Sequence, residues 1–189
     1  GLTPATVDNP SRINRPFDLW RTTGVVSEGA GMVVLEADAS GAKGYSTIAG
    51  YSCAGDIEEN VCSGMTTAMR QALADACVSP ADVDAINAWG PGHGRIDAAE
   101  VSALRAVFGD GARKIPAYSI KGAIGNPLGA APAIQVAVSA LSLFYGILPP
   151  TVNWEYHDPS CDLSLSLNSR YIEHHSQLIN SHGLSGVNS

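Results

Sequence analysis

Short apolar runs rich in β-branched residues alternate along this chain with amphipathic helical stretches, and that alternation restricts it to a layered α/β architecture. Residues 24–37 (GVVSEGAGMVVLEA), 46–55 (STIAGYSCAG), 84–89 (DAINAW) and 114–120 (KIPAYSI) read as strands. A helix is predicted from a Ser63 cap onward. Its apolar residues Met65, Met69, Leu73 and Cys77 recur at steps of four, and it stops before Pro80. The stretch RIDAAEVSALRAVFGD predicts a second helix. Asp97 and Glu100 sit in its first turn, where the helix dipole favours acids, and Gly109 lies near its end. NPLGAAPAIQVAVSALSLFYG predicts a third, with Pro127 in the first turn and small residues that permit close packing. Polar and apolar residues alternate over 162–167, and the tail from Cys161 predicts one or two further strands.

The length of 189 residues suits one globular domain. A net charge of −7, with eleven Lys plus Arg and no dense basic run, excludes nucleic acid as the main partner. No uninterrupted apolar stretch of about 18 residues is present, so no membrane span is expected. The opening GLTPATVDNPSR lacks the basic and apolar regions of a signal peptide. Cys53, Cys62, Cys77 and Cys161 form no C-x-x-C pair and read as reduced structural thiols in a cytoplasmic setting. His157, His174, His175 and His182 lack metal-ligand spacing, so no metal is expected. His174 and His175 are adjacent, point to opposite faces if extended, and are expected at the surface.

The strand candidates run into glycine-rich loops: WGPGHG, KGAIGNPLG and, near the end of the chain, HGLSG. In open α/β sheets, ligands sit beyond the carboxyl ends of the strands. Glycine permits turns and close ligand approach that other residues do not. Each loop alone reads as a tight turn; three at equivalent positions suggest one converging site.

Several segments, in order, resemble the β-ketoacyl-acyl-carrier-protein synthases of the thiolase superfamily. RPFDLWRTTGVVSEGAGMVVLE resembles the segment that opens their C-terminal half, and NAWGPGHGRIDAAE resembles their HGTGT…D…E motif. YSIKGAIGNPLGAA is similar to their SxKxxxGHxxGAAG, GILPPTVNWEYHDPSCDLSL to their GxLPPTxN…DPxCDLD, and INSHGLSGVNS to their closing SFGFGGxNA. The resemblance implies that residues 1–189 form the C-terminal half of a thiolase-like αβαβα layered fold. It also implies that the N-terminal half, which carries the family's nucleophilic cysteine, lies outside this chain. A separate or cleaved chain is expected to supply that half, since half of such a core exposes a large apolar face.

The departures from the family pattern are informative. Trp89 stands at the position of the first catalytic histidine and Asn126 at the second. Pro91 and His93 hold the two threonine positions, while Lys121, Glu28, Asp97 and Glu100 match the family. In the closing turn Leu184 replaces the gating aromatic, and His182 replaces a second phenylalanine. The resemblance thus implies Trp89, His93, Lys121 and Asn126 at catalytic positions, His182, Gly183 and Leu184 at substrate-binding positions, and Glu28, Asp97 and Glu100 as structural support.

Indole donates one N–H, accepts nothing and is bulkier than imidazole. Trp89 either crowds the place of a malonyl thioester or packs as ordinary core. Lys121 is either catalytic or a buried lysine paired with Glu28. His93 is either a relocated base or a solvated loop residue. By resemblance, the chain is a subunit of fatty-acid or polyketide biosynthesis, unable to decarboxylate malonyl thioesters and similar to chain-length factors. It would work in a homo- or heterodimer with a ketosynthase and with acyl carrier protein, without a cofactor. The alternative is an acyltransferase or condensing enzyme using a cysteine of the N-terminal half and a non-standard set of assisting residues.

Overall fold

The structure is a computed structural model and describes residues 9–37, 43–57, 60–183 and 185–189. In chain order the elements are β1 (Ala54–Gly55), α1 (Ser63–Asp75), β2 (Ala85–Asn87), α2 (Gly94–Phe108), β3 (Ala117–Tyr118), α3 (Lys121–Ile124), α4 (Ala131–Tyr145), β4 (Ile147–Leu148), β5 (Arg170–Tyr171), β6 (Gln177–Ile179) and β7 (Val187–Asn188). Strand β2 lies at the centre of a parallel sheet ordered β3-β2-β6, with Ile86 opposite Ala117 and Leu178. Two antiparallel pairs, β1–β7 and β4–β5, flank it.

The period of two along a strand sorts the side chains into layers. Ile86, Ala117 and Leu178 join Met65 and Met69 of α1 and Val101 and Leu104 of α2. Ala85 and Tyr118 face the other way, with Ile134 and Val138 of α4 packed behind them. The result is helix, sheet, helix. Burying one large apolar side chain of these layers contributes about 1.5–3 kcal/mol of transfer free energy.

Helix α1 begins at Ser63, which is its first residue and not its cap. Cys62 precedes it with φ 64°, and the Ser63 hydroxyl accepts the Ile57 N–H at 2.8 Å. The helix ends well before Pro80. Cys77 adopts φ 55°, and the Val78 and Cys77 N–H groups close back on the carbonyls of Leu73 and Ala74. Helix α4 starts at Ala131 with Pro132 in its first turn, whereas Asn126 is extended and bridges Val26. Pro127 therefore precedes the helix.

Two expected strands differ more. Residues 24–37 show one isolated bridge, at Val26, and 46–53 show no ladder; only Ala54–Gly55 at the end of the second run pair as a strand. Met32, Val34 and Leu35 are strongly exposed. Helix α4 buries a polar stripe of Gln135, Ser139 and Ser142 beside Ala131, while Leu141, Phe144 and Tyr145 face outward. By length and composition alone Leu128–Tyr145, with mean hydropathy 1.5, is apolar enough to cross a membrane, a test that the core helix of a layered domain also passes. Its polar stripe is nevertheless bonded to the sheet.

Candidate functional site

The carboxyl ends of β2, β3 and β6 open into three loops, and two buried side chains hold those loops together. The first is Glu100 of α2. Its Oε1 accepts the Trp89 N–H at 2.8 Å and the Asn180 amide at 3.0 Å, and its Oε2 accepts the Gly90 N–H at 2.8 Å. Asp97, one turn earlier, accepts the Gly92 and His93 N–H groups at 3.1 Å and the Phe17 N–H at 2.8 Å, and lies 3.4 Å from Arg21 Nε. These acids do more than answer the helix dipole: they fold the 89–93 loop onto the start of α2. Gly90 is required there, because its φ is +38° and a Cβ would lie 2.5 Å from the Phe17 ring. Burial pushes both carboxyls up, Asp97 to about 7, against the Phe17 N–H and Arg21. For Glu100 the Gly90, Asn180 and Trp89 donors and the Lys121 charge oppose that rise.

The second is Gln135 of α4. Its Oε1 accepts the Lys121 ammonium at 3.1 Å, while its Nε2 donates to the carbonyls of Ala88 at 3.2 Å and Asn180 at 3.0 Å. Lys121 is fully buried, and burial lowers its pKa to about 8, with the Glu100 charge working the other way. Glu28 is exposed and makes no ion pair among the described residues. The expected pairing of Lys121 with Glu28 is therefore replaced by Gln135 and the field of Glu100.

Asn126 is held by its backbone, with its N–H on the Val25 carbonyl at 2.7 Å. Its Oδ1 accepts the Leu128 N–H at 3.3 Å, and among the described residues Nδ2 meets no acceptor. The indole of Trp89 is buried against the imidazole of His182, ring centroids 4.7 Å apart at 53°. His182 Nδ1 meets Asn188 Oδ1 at 2.9 Å and lies 3.8 Å from Asp56 Oδ2. Burial would raise Asp56, but the Gly64 N–H, the Asn188 amide and the Cys62 N–H hold its pKa low. Trp89 thus belongs to the core cluster and at the same time meets the loop that carries His182.

His93 caps α2, its Nδ1 accepting the Arg95 N–H at 3.3 Å. Burial lowers its pKa, and its Nδ1 is engaged by the start of the helix, so His93 serves as a cap, neither of the two roles the sequence left open. Gly183 closes the final turn through its N–H to the Val187 carbonyl at 2.7 Å; Leu184 lies outside the described residues. His174, expected at the surface, is buried and bonded to Ser142 and Gln177, whereas His175 is exposed. Burial raises the Cys62 thiol, and raises Cys161 to about 11. Gln135 and Asn180 escaped the sequence reading; a lone glutamine in the apolar run AIQVAV was the available signal.

A parallel sheet with helical layers on both faces, its strand-end loops gathered over a buried lysine, is the C-terminal half of a thiolase-like fold. The chain belongs to the β-ketoacyl synthase family: residues 45–155 match the model for the beta-ketoacyl synthase C-terminal domain. Nodulation protein E of Rhizobium leguminosarum bv. trifolii is 37% identical over 181 residues, covering 92% of this chain and 45% of that protein. A solved complex of a type II PKS acyl-carrier protein with its ketosynthase, AntDE:AntF, superposes with TM-score 0.93 at 30% identity, over 99% of this chain and 48% of that one. The ishigamide ketosynthase/chain length factor superposes with TM-score 0.88 at 30% identity, over 97% and 46%. The chain spans about half the length of these relatives.

Proposed function

We propose that this chain is the C-terminal half of a ketosynthase-family subunit of fatty-acid or polyketide biosynthesis, working in the cytoplasm. The subunit does not decarboxylate malonyl thioesters and acts beside an active ketosynthase in the manner of a chain-length factor. The observation that carries this reading is the pair of side chains at the catalytic histidine positions. One is Trp89, packed on His182; the other is Asn126, its oxygen held by the Leu128 N–H.

Decarboxylation needs donors aimed at the developing enolate oxygen, and losing one such donor costs on the order of 10²–10³ in rate. Neither position holds an imidazole. The similarity to a ketosynthase/chain length factor supports the partner role. The complementary N-terminal half covers the outward apolar face of α4, and acyl carrier protein delivers substrate to the assembly.

Asn126 Nδ2, which meets no acceptor among the described residues, favours one further reading. With a cysteine in the other half, that amide assists acyl transfer without decarboxylation.

The test is labelled CO₂ release from malonyl-carrier protein by the complete subunit, alone and with a ketosynthase, with mass spectrometry for acyl-enzyme. No CO₂ above background from the subunit alone, and a changed product length in the mixture, are expected. CO₂ release by the subunit alone overturns the reading; acyl-enzyme without CO₂ selects the acyl-transfer reading.

A further inference from the structure

The turn that closes the chain carries one imidazole whose two nitrogens have unlike surroundings. His182 bridges Asn188 across the turn, and the flanking Ser181 and Ser189 exchange backbone hydrogen bonds at 2.7 and 2.9 Å. Only 8% of the His182 side chain is exposed. Its Nδ1 lies 2.9 Å from Asn188 Oδ1, and its ring rests on Trp89. Among the described residues its Nε2 has no hydrogen-bond partner. The turn follows β6 and Trp89 follows β2, so the contact lies at the strand ends where layered α/β folds take their ligands.

Asn188 decides which edge of the ring is anchored. Its Nδ2 lies 2.7 Å from Asp56 Oδ1 and 3.3 Å from the Ala54 carbonyl. Asp56 in turn accepts the Gly64 N–H at 2.9 Å and the Cys62 N–H at 3.1 Å, at the start of α1. Two acceptors around Nδ2 leave Asn188 Oδ1 to face His182, and an amide oxygen only accepts. Nδ1 therefore carries a proton whatever the state of Nε2, and Nε2 is left to meet a ligand.

The chemistry of that ligand follows from what Nε2 can pair with. A hydrocarbon chain pairs with it in neither protonation state. A ketone oxygen only accepts, so it pairs with Nε2–H alone. A hydroxyl both donates and accepts, and so pairs with Nε2 bare or protonated. A ligand that covers a polar group and offers it no partner loses the cost of desolvating that group, so a site built around one discriminates against such ligands.

We propose that His182 Nε2 is a specificity contact for an acyl chain that bears a hydroxyl group, and that Asn188 and Asp56 are the positioning residues that hold the ring for it. The inference rests on the reading of the subunit as one that takes acyl chains. It adds the kind of chain: oxygenated, not saturated, with the hydroxyl seated on Nε2 beside the Trp89 indole.

The test is isothermal titration calorimetry on the complete subunit with pantetheine amides, in which an amide replaces the thioester so that no acyl group is transferred. One probe carries an octanoyl chain; the others carry a single hydroxyl on the third, fifth or seventh carbon of that chain. At least one hydroxylated probe should bind roughly tenfold more tightly than the octanoyl probe, the difference expected of one buried hydrogen bond. His182→Phe keeps an aromatic ring against Trp89 and removes the nitrogen, so the ratio of affinities should fall to about one. His182→Gln, which can still donate and accept, should restore part of the preference. A merely structural role would change the affinities together and leave their ratio untouched. Equal binding of all the probes by the parent, or a preference that survives His182→Phe, would overturn the inference and leave the ketosynthase-family reading in place. No binding of any probe would overturn both. The parent titrations alone decide the preference should a variant fail to fold.

Discussion

The imidazole of His182 rests against the indole of Trp89 with centroids 4.7 Å apart, so two loops at separate strand ends are joined by one aromatic contact. In the reading proposed above, that indole stands where an imidazole donor would meet an enolate. Asn126, at the other donor position, keeps only an amide N–H to offer.

Restoring imidazole at both places tests that arrangement. Trp89→His with Asn126→His should release CO₂ from malonyl-carrier protein at least about tenfold faster than either single variant, because donors that act as a unit are not additive. Labelled CO₂ counts on the complete subunit are the readout. Equal rates in the double and single variants would rule out the two-donor explanation.

Glu100 holds three donors from two loops in a buried setting. Glu100→Gln turns one acceptor oxygen into an NH₂ that faces an N–H, and removes the charge that favours the Lys121 ammonium. The complete subunit should lose about 2–4 kcal/mol of stability, read by denaturant unfolding. A loss within a few tenths of a kcal/mol would show that the carboxylate does not clamp the loops.

Lys121 gives the stability curve a defined pH dependence. Its ammonium releases its proton near pH 8 when folded and near pH 10.5 when unfolded. Between those values the unfolded chain binds more protons, so stability rises with pH; the gain is lost as pH falls through 8. Melting temperatures of the parent and Lys121→Met subunits, followed from about pH 7.5 to about pH 10, should therefore diverge. The parent should gain on the variant only above about pH 8. Parallel curves throughout would contradict the buried-amine assignment.

The outward face of α4 should be an assembly surface. Leu141, Phe144 and Tyr145 are exposed, and Tyr45 packs edge-on against Phe144 with ring centroids 5.1 Å apart. Phe144→Glu places a charge in that apolar face and should abolish association with the complementary half. Size-exclusion chromatography of the co-expressed halves reads it. The chain alone should aggregate or show a non-cooperative melt; a monodisperse, cooperatively melting monomer would argue against an uncovered half.

The sequence by itself determined the layered α/β class, the helices α1 and α2, and the three glycine loops. Periodicity and backbone chemistry are local properties, so Met65, Met69 and Leu73 mark their buried stripe whatever surrounds them. It also marked Trp89, Asn126 and Lys121, because motif spacing is written in the chain. Tertiary structure decided the partners. Lys121 meets Gln135 from α4 and feels Glu100 from α2 instead of pairing with Glu28, and Trp89 meets His182, contacts that depend on how β2, β3 and β6 bring their ends together. Residues 24–37 carry the composition of a strand, but a strand needs a neighbour to complete its ladder, and the described residues supply only the bridge at Val26. His174 became buried for the same reason: packing against Ser142 of α4, 32 residues away in the chain, removed it from water. Such long-range desolvation leaves no local mark for periodicity to reveal.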